Sequence, residues 1–245
     1  MAAAESVSIA ALGQSVGPLS GGFVRLLTKD AFAKCSYLAV RDKPSEKILN
    51  SMGISCEVMP DPVLSLEVEN IGHGDAILVN VRPTPSPEAY LRPVIRAAKI
   101  FFENGNELIG LAMSGEDAAL MRDLKKSGEL PLREIFSPKN LAEFLDVAGL
   151  ARAAVGMRLH FGILSALCGL GAALSPYDPK VSSFAEAWGV KQLKNGESDE
   201  NFDIMQLLTN SRFGDKKKFV ESRSRIAMQF KKALERIQGE DNEPK

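Results

Sequence analysis

The chain has 245 residues, 45% of them hydrophobic and 25% charged, with a formal net charge of −1. That length can bury a substantial core, that composition suits a soluble globular protein, and that charge argues against a nucleic-acid footprint over the whole molecule. No apolar run approaches a membrane span, and the three cysteines, Cys35, Cys56 and Cys168, form no C-x-x-C, so reduced thiols and a cytoplasmic protein are expected rather than a disulfide framework or a zinc site. "MAAAESVSIAALGQSVG" lacks a basic n-region, and no secretory leader is expected.

In chain order, "SVSIAALG" reads as a short apolar strand delivering the Gly-rich turn "GQSVGP". A helix follows over "GFVRLLTKDAFAKC", with apolar positions at Phe23, Leu26, Leu27 and Phe32. "SYLAVRD" is a strand, and "KPSEKILNSMG" a helix that starts near Pro44 and stops at Gly53, the usual Pro-in, Gly-out asymmetry. "SCEVMPDPVLSLE" supplies a short strand and a Pro-broken turn. The polar, Gly-containing "VENIGHGD" marks a boundary or hinge. The expected domains are therefore 1–70, a partial Rossmann-like domain, and 71–245, a Rossmann-like domain ending in a long helix.

Beyond the boundary, strands at "AILVNVRP", "NELIGLAMS", "LREIF", "RAAVG" and "AALSPY" alternate with helices over "SPEAYLRPVIRAAKIFFENG", "GEDAALMRDLKKSG", "SPKNLAEFLDVAGLA", with Ser137 as its cap, and "MRLHFGILSALCGLG". Strands separated by helices of about ten residues or more mean βαβ units and a parallel sheet covered on both faces. "VKQLKNGESDENFD" reads as loop. "GDKKKFVESRSRIAMQFKKALERIQ" reads as a long amphipathic helix with Phe219, Ile226, Phe230 and Leu234 near one stripe.

The chemistry concentrates in "MRLHFGILSALCGLGAALSPYDPKV". In an open α/β sheet, ligands gather beyond the carboxyl ends of strands, where helix N-termini offer free N–H groups to anions. Arg158 and His160 are two residues apart, so they point about 200° apart in a regular helix but share a face in an extended segment. The expectation is an extended or first-turn conformation with both side chains at the cleft. "SPYDPKV" then raises Tyr177 and Lys180 at the end of the next strand, giving a basic pocket with one group that titrates near neutral pH. Each residue also has a plainer reading: a packing histidine, an arginine paired with a carboxylate, a solvated lysine.

"VGMRLHFGILSALCGLGAALSPYDPKVSSFAEAWGV" resembles the C-terminal signature of the bacterial polysaccharide pyruvyl transferases, V-V-G-M-R-L-H, a small-residue helix, Y-D-P-K-V and an F-x-x-x-x-G tail. "ALGQSVGPL", "AVRDKPSEKILNSMGISCEVMPDPVLSLE" and "VNVRPTP" are similar to further segments of that family, so the resemblance runs from about Ser6 to Gly189. Ser15 stands where a glycine is common, and "GLGAALSPY" lacks the usual Gly-Val-Pro. The resemblance implies a GT-B-like α/β fold, here expected to lack part of the N-terminal domain. It also implies transfer of the pyruvate skeleton of phosphoenolpyruvate onto a sugar of a cell-wall or exopolysaccharide precursor, typically lipid-linked and handled at the cytoplasmic membrane face.

On that implication, the phosphate and carboxylate of phosphoenolpyruvate call for fixed cations: Arg158 and Lys180 first, then Arg82 and Arg41, with Tyr177 beside them. His160 is the acid/base candidate. No added cofactor and no metal is expected. His73 is read as an exposed loop residue without a role. Asp42 and Asp61 are read chiefly as caps, as are Glu116 and Asp117. Lys216, Lys217 and Lys218 form a solvated helix face or a peripheral contact with an anionic bilayer. The alternatives are a GT-B glycosyltransferase using a nucleotide sugar, and a truncated non-catalytic remnant.

Overall fold

The structure, a computed structural model, describes residues 7–68, 71–195 and 216–241. The chain divides into two compact units, Met1–Leu66 with Lys216–Lys245, and Glu67–Asp215. The first unit carries β1 (Ala10–Gln14), α1 (Gly22–Ala33), β2 (Tyr37–Val40), α2 (Lys43–Asn50), β3 (Glu57–Val58) and a 3-10 turn at Pro62–Ser65. Its three strands pair in parallel in the order β1-β2-β3. Helix α2 begins as its sequence dictates: the Asp42 carboxylate accepts from the Ser45 N–H at 2.8 Å and Pro44 occupies the first turn. Asp61 caps the 3-10 turn in the same way, accepting from Val63 N–H at 3.0 Å.

The second unit runs β4 (Ala76–Asn80), α3 (Pro87–Glu103), β5 (Leu108–Leu111), α4 (Gly115–Lys126), β6 (Leu132–Phe136), α5 (Leu141–Gly149), β7 (Ala151–Gly156), α6 (Leu159–Leu167), β8 (Gly171–Leu174), α7 (Pro179–Trp188) and β9 (Lys191–Gln192). The six strands form one sheet in the order β6-β5-β4-β7-β8-β9, and every pairing is parallel. Strands β4, β5 and β8 are buried at every position. Such strands need helices on both faces of the sheet, which is the parallel, doubly covered class that the alternating pattern predicts.

Several local expectations change. Helix α5 is capped by Asn140, not Ser137: Asn140 Oδ1 accepts from Glu143 N–H at 3.0 Å, and the Glu143 carboxylate accepts from Lys139 N–H at 2.8 Å. This reciprocal pair satisfies two end donors where a serine before Pro138 would satisfy one. The segment after Gly189 contributes β9, whose two residues pair with Ala173 and Leu174; so short and polar a strand leaves no hydrophobic period to read. The rest of that loop, with Gly214 and Asp215 of the basic run, lies outside the described residues. At the boundary, Gly72 and Gly74 are laced against the second unit. A Cβ on Gly74 would meet the Leu150 backbone at 2.1 Å, so this glycine permits close approach of two backbone segments.

The final helix, α8 (Lys216–Asp241), packs on β1, β2 and the 3-10 turn and thus belongs to the first unit. The expected 71–245 domain therefore loses its last helix to the first unit. Its buried stripe is Ser222, Ile226, Gln229 and Ala233, while Phe230 and Leu234 are exposed. Half of that seam is polar. Gln229 Nε2 donates to Glu57 at 2.8 Å, Lys232 Nζ lies 2.7 Å from the same carboxylate, and Tyr37 OH donates to Gln229 Oε1. A stripe drawn through apolar residues alone misses it.

Candidate functional site

Strand order in the second unit reverses between β4 and β7: β5 and β6 extend one way, β8 and β9 the other. In open parallel sheets such a switch point leaves a crevice beyond the carboxyl ends, because the flanking connections depart to opposite faces. The strand ends there are level, with Asn80 in register with Gly156 and Gly156 with Leu174. Residues just past these ends therefore reach one rim: Arg82 after β4, Arg158 and His160 after β7, Tyr177 and Lys180 after β8.

Arg158 is the N-cap of α6, in extended conformation at φ −69° and ψ 133°, and His160 follows in the first helical turn. These are the extended and first-turn conformations expected of the pair. The Arg158 N–H donates to Asn80 Oδ1 at 3.0 Å, tying the junction to the end of β4. His160 is exposed.

The Arg158 side chain is not a lone cation. Nε donates to Asp117 Oδ2 at 3.1 Å and Nη2 to Asp117 Oδ1 at 2.7 Å, and Nη2 also donates to Ser114 Oγ at 2.9 Å. Asp117 is wholly buried, while Arg158 keeps 24% of its side chain exposed. The Asp117 hydrogen bonds hold the guanidinium's proton affinity above its ordinary value, against the opposing effect of burial. Asp117 and Ser114 come from the start of α4, after β5. Ser114 caps that helix by accepting from Asp117 N–H at 3.3 Å, and Asp117 Oδ2 accepts from Met113 N–H at 3.2 Å. Capping by Glu116 and Asp117 is thus corrected: Ser114 is the cap, and Asp117 completes the box while binding Arg158.

Arg82 lies over the Tyr177 ring, with its central carbon 4.6 Å from the centroid, and its Nη1 donates to Tyr177 OH at 2.8 Å. Tyr177 packs on the second-unit core, so it fixes the arginine from a rigid base. Lys180 pairs with Asp178 at 3.3 Å, and Asp178 caps α7 by accepting from the Lys180 N–H at 3.0 Å.

Arg41 belongs to the first unit. Its Nη1 meets Asp61 at 2.8 Å and its Nε donates to Ser15 Oγ at 2.6 Å, while Ser15 Oγ donates to Asp42 at 2.5 Å. Arg41 thereby braces the "GQSVGP" loop, with Ser15 as the linking hydroxyl. His73 is exposed in its loop. Lys217 is exposed and Lys218 half-buried on α8, and the side chain of Lys216 lies outside the described residues.

Residue-type reasoning passed over Asn80 and Asp117 as site residues. Asn80 had a signal: one amide closing the otherwise apolar "AILVN". Among the described residues, no group of three or more His, Cys, Asp or Glu side chains is placed to hold a metal ion, and no helix is long and apolar enough to cross a membrane.

Comparison with solved structures returns S. aureus TarM (TM-score 0.58, 12% identity, 94% of this chain and 50% of that one). It also returns the UDP-GlcNAc 2-epimerase of Methanocaldococcus jannaschii (0.57, 14%, 94% and 72%) and Anabaena Alr3699/HepE with UDP-glucose (0.57, 11%, 92% and 72%). At such identities the likeness shows a shared GT-B-like α/β fold and nothing of the chemistry. The chain spans about half the length of TarM. No curated protein matches the sequence. The profile of the polysaccharide pyruvyl transferases matches residues 1–177, a stretch that takes in Arg82, Arg158, His160 and Tyr177, and the chain belongs to that family.

Proposed function

We propose that the chain is a pyruvyltransferase that moves the pyruvate skeleton of phosphoenolpyruvate onto a sugar of a cell-wall or exopolysaccharide precursor as a ketal. The observation that supports this reading is the set of level strand ends at the switch point, just past which Arg82, Arg158, His160, Tyr177 and Lys180 stand in the chain. Arg158, through its Nη1 edge, and Arg82 offer N–H donors to the phosphate and carboxylate, and Lys180 a point charge. In the reaction, C3 of the enol gains a proton and one sugar hydroxyl adds to C2. The C2–O bond to phosphate then breaks, and a second hydroxyl closes the ring. Of the two hydroxyl protons, one balances C3 and the other leaves with phosphate. His160 serves as the acid/base group, and no added cofactor is invoked. The proposed acceptor is lipid-linked, met at the inner face of the cytoplasmic membrane with Lys217 and Lys218 of α8 contributing a peripheral contact.

Phosphate release from phosphoenolpyruvate in the presence of a sugar acceptor tests this. His160→Gln is expected to lower turnover by about two to four orders of magnitude with the fold retained; wild-type turnover in that variant removes His160 from the chemistry. The likeness to HepE with UDP-glucose favours a second reading, a nucleotide-sugar glycosyltransferase. Thermal stabilisation by UDP-glucose and none by phosphoenolpyruvate would select it.

A further inference from the structure

Asp117 is the most deeply buried carboxylate at the rim, and neither the sequence motifs nor the proposed reaction gives it work. Its oxygens accept three hydrogen bonds: Oδ1 from Arg158 Nη2, Oδ2 from Arg158 Nε and from Met113 N–H. A carboxylate so occupied and wholly buried is out of reach of a substrate proton. It can set the attitude of its partner. Three of the five guanidinium N–H groups of Arg158 are spent on Asp117 and Ser114, and the backbone N–H on Asn80. The remaining edge, Nη1, has no partner among the described residues. The ends of β4, β5 and β7 thus each hold one point of the same arginine.

Resting on the pyruvyltransfer reading, we propose that Asp117 is a positioning residue: it clamps Arg158 in one orientation, so that Nη1 alone is presented to the anionic substrate. A clamped donor needs no reorganisation as charge builds on the leaving phosphate, so the benefit falls on turnover more than on binding. The bidentate pair also cancels the net charge of Arg158, leaving direction rather than bulk attraction as its contribution.

Asp117→Asn in the full chain tests this. The amide keeps the carboxylate's shape but turns an N–H toward a guanidinium N–H, so one of the two parallel bonds is lost and the cation is uncompensated. Expected is a fall in kcat of about tenfold or more, the cost of a small misplacement, with the KM for phosphoenolpyruvate unchanged or lowered. In the double variant with Arg158→Lys, the loss in kcat should not exceed that of the worse single change, because both break one unit. A lower Tm with kcat and KM per folded molecule intact overturns the proposal. Should Asp117→Asn fail to fold, Ser114→Ala removes one acceptor alone and is expected to lower kcat about threefold without raising KM; an unchanged kcat there also overturns it.

A readout independent of turnover separates this proposal from the reading beneath it. The Arg158 Nε–H resonance should exchange slowly with solvent in the wild type and quickly in Asp117→Asn. If the wild type releases no phosphate from phosphoenolpyruvate yet that resonance behaves as expected, the pyruvyltransfer reading fails and the clamp stands. Equal exchange in both proteins overturns the clamp whatever the chemistry.

Discussion

In the six-stranded unit, Phe101, Met121 and Phe161 are wholly buried between sheet and helices, and Arg82, Arg158 and Lys180 lie just past the strand ends. In the three-stranded unit, α1 buries none of its residues, and Phe23, Leu26 and Leu27 stand exposed. There a small apolar cluster that includes Leu38, Val40 and Leu49 is joined by polar ties: Arg41 and Asp61 with Ser15 at one end, and Glu57 with Lys232 and Gln229 at the seam of α8. A wide sheet with two covered faces gains enough from apolar burial to free its polar residues for a site. A narrow one spends them on holding its own loops. The same residue type, an arginine two residues or fewer past a strand, therefore has different partners in the two: Arg82 lies on a tyrosine ring, and Arg41 binds a carboxylate and a loop hydroxyl.

The sharpest way to break this comparison is Phe101→Ala. It should cost about 3–5 kcal/mol, as large aromatic deletions in well-packed cores do. In hydrogen exchange the amides of β4 and β5 should lose protection while those of β1 and β2 keep theirs. Equal loss in both would mean that the units stand or fall as one. Next comes Arg41→Met, which leaves Asp61 without its cation and Ser15 without a donor. About 2 kcal/mol of first-unit stability should disappear in urea titration, the scale of a charged hydrogen bond in a half-buried setting. The smallest effect belongs to the α8 seam. Hydrogen bonds from Lys232 and then Gln229 hold the Glu57 carboxyl below its usual value. A lowered folded-state value means stabilisation present above the ordinary carboxylate range and lost as pH falls through the lowered value. The Gln229 side-chain amide resonances should shift in that acid window in the wild type and not in Glu57→Gln.

Much of the scaffold was legible from the residues. Buried strands such as "AILVN" and "RAAVG" announce a parallel sheet, and the extended or first-turn conformation expected at Arg158 and His160 matches the backbone there, an extended N-cap followed by the first helical turn. The partners were not legible. Asp117 reads locally as a helix-cap acid, and nothing in its neighbourhood says that an arginine forty-one residues later will lie beside it; only the sheet order brings β5 and β7 to either side of β4. The α8 seam was missed for a related reason. Its contacts are half polar, and its partner strand lies at the other end of the sequence.

Two cations of the rim arrive already matched with an acid, Arg158 with Asp117 and Lys180 with Asp178. A charge beside its counter-charge is felt by an approaching ion as a dipole, whose pull fades faster with distance than that of a bare charge. An anion bound at this rim would be captured on contact rather than gathered from afar, and its association rate would change little with ionic strength.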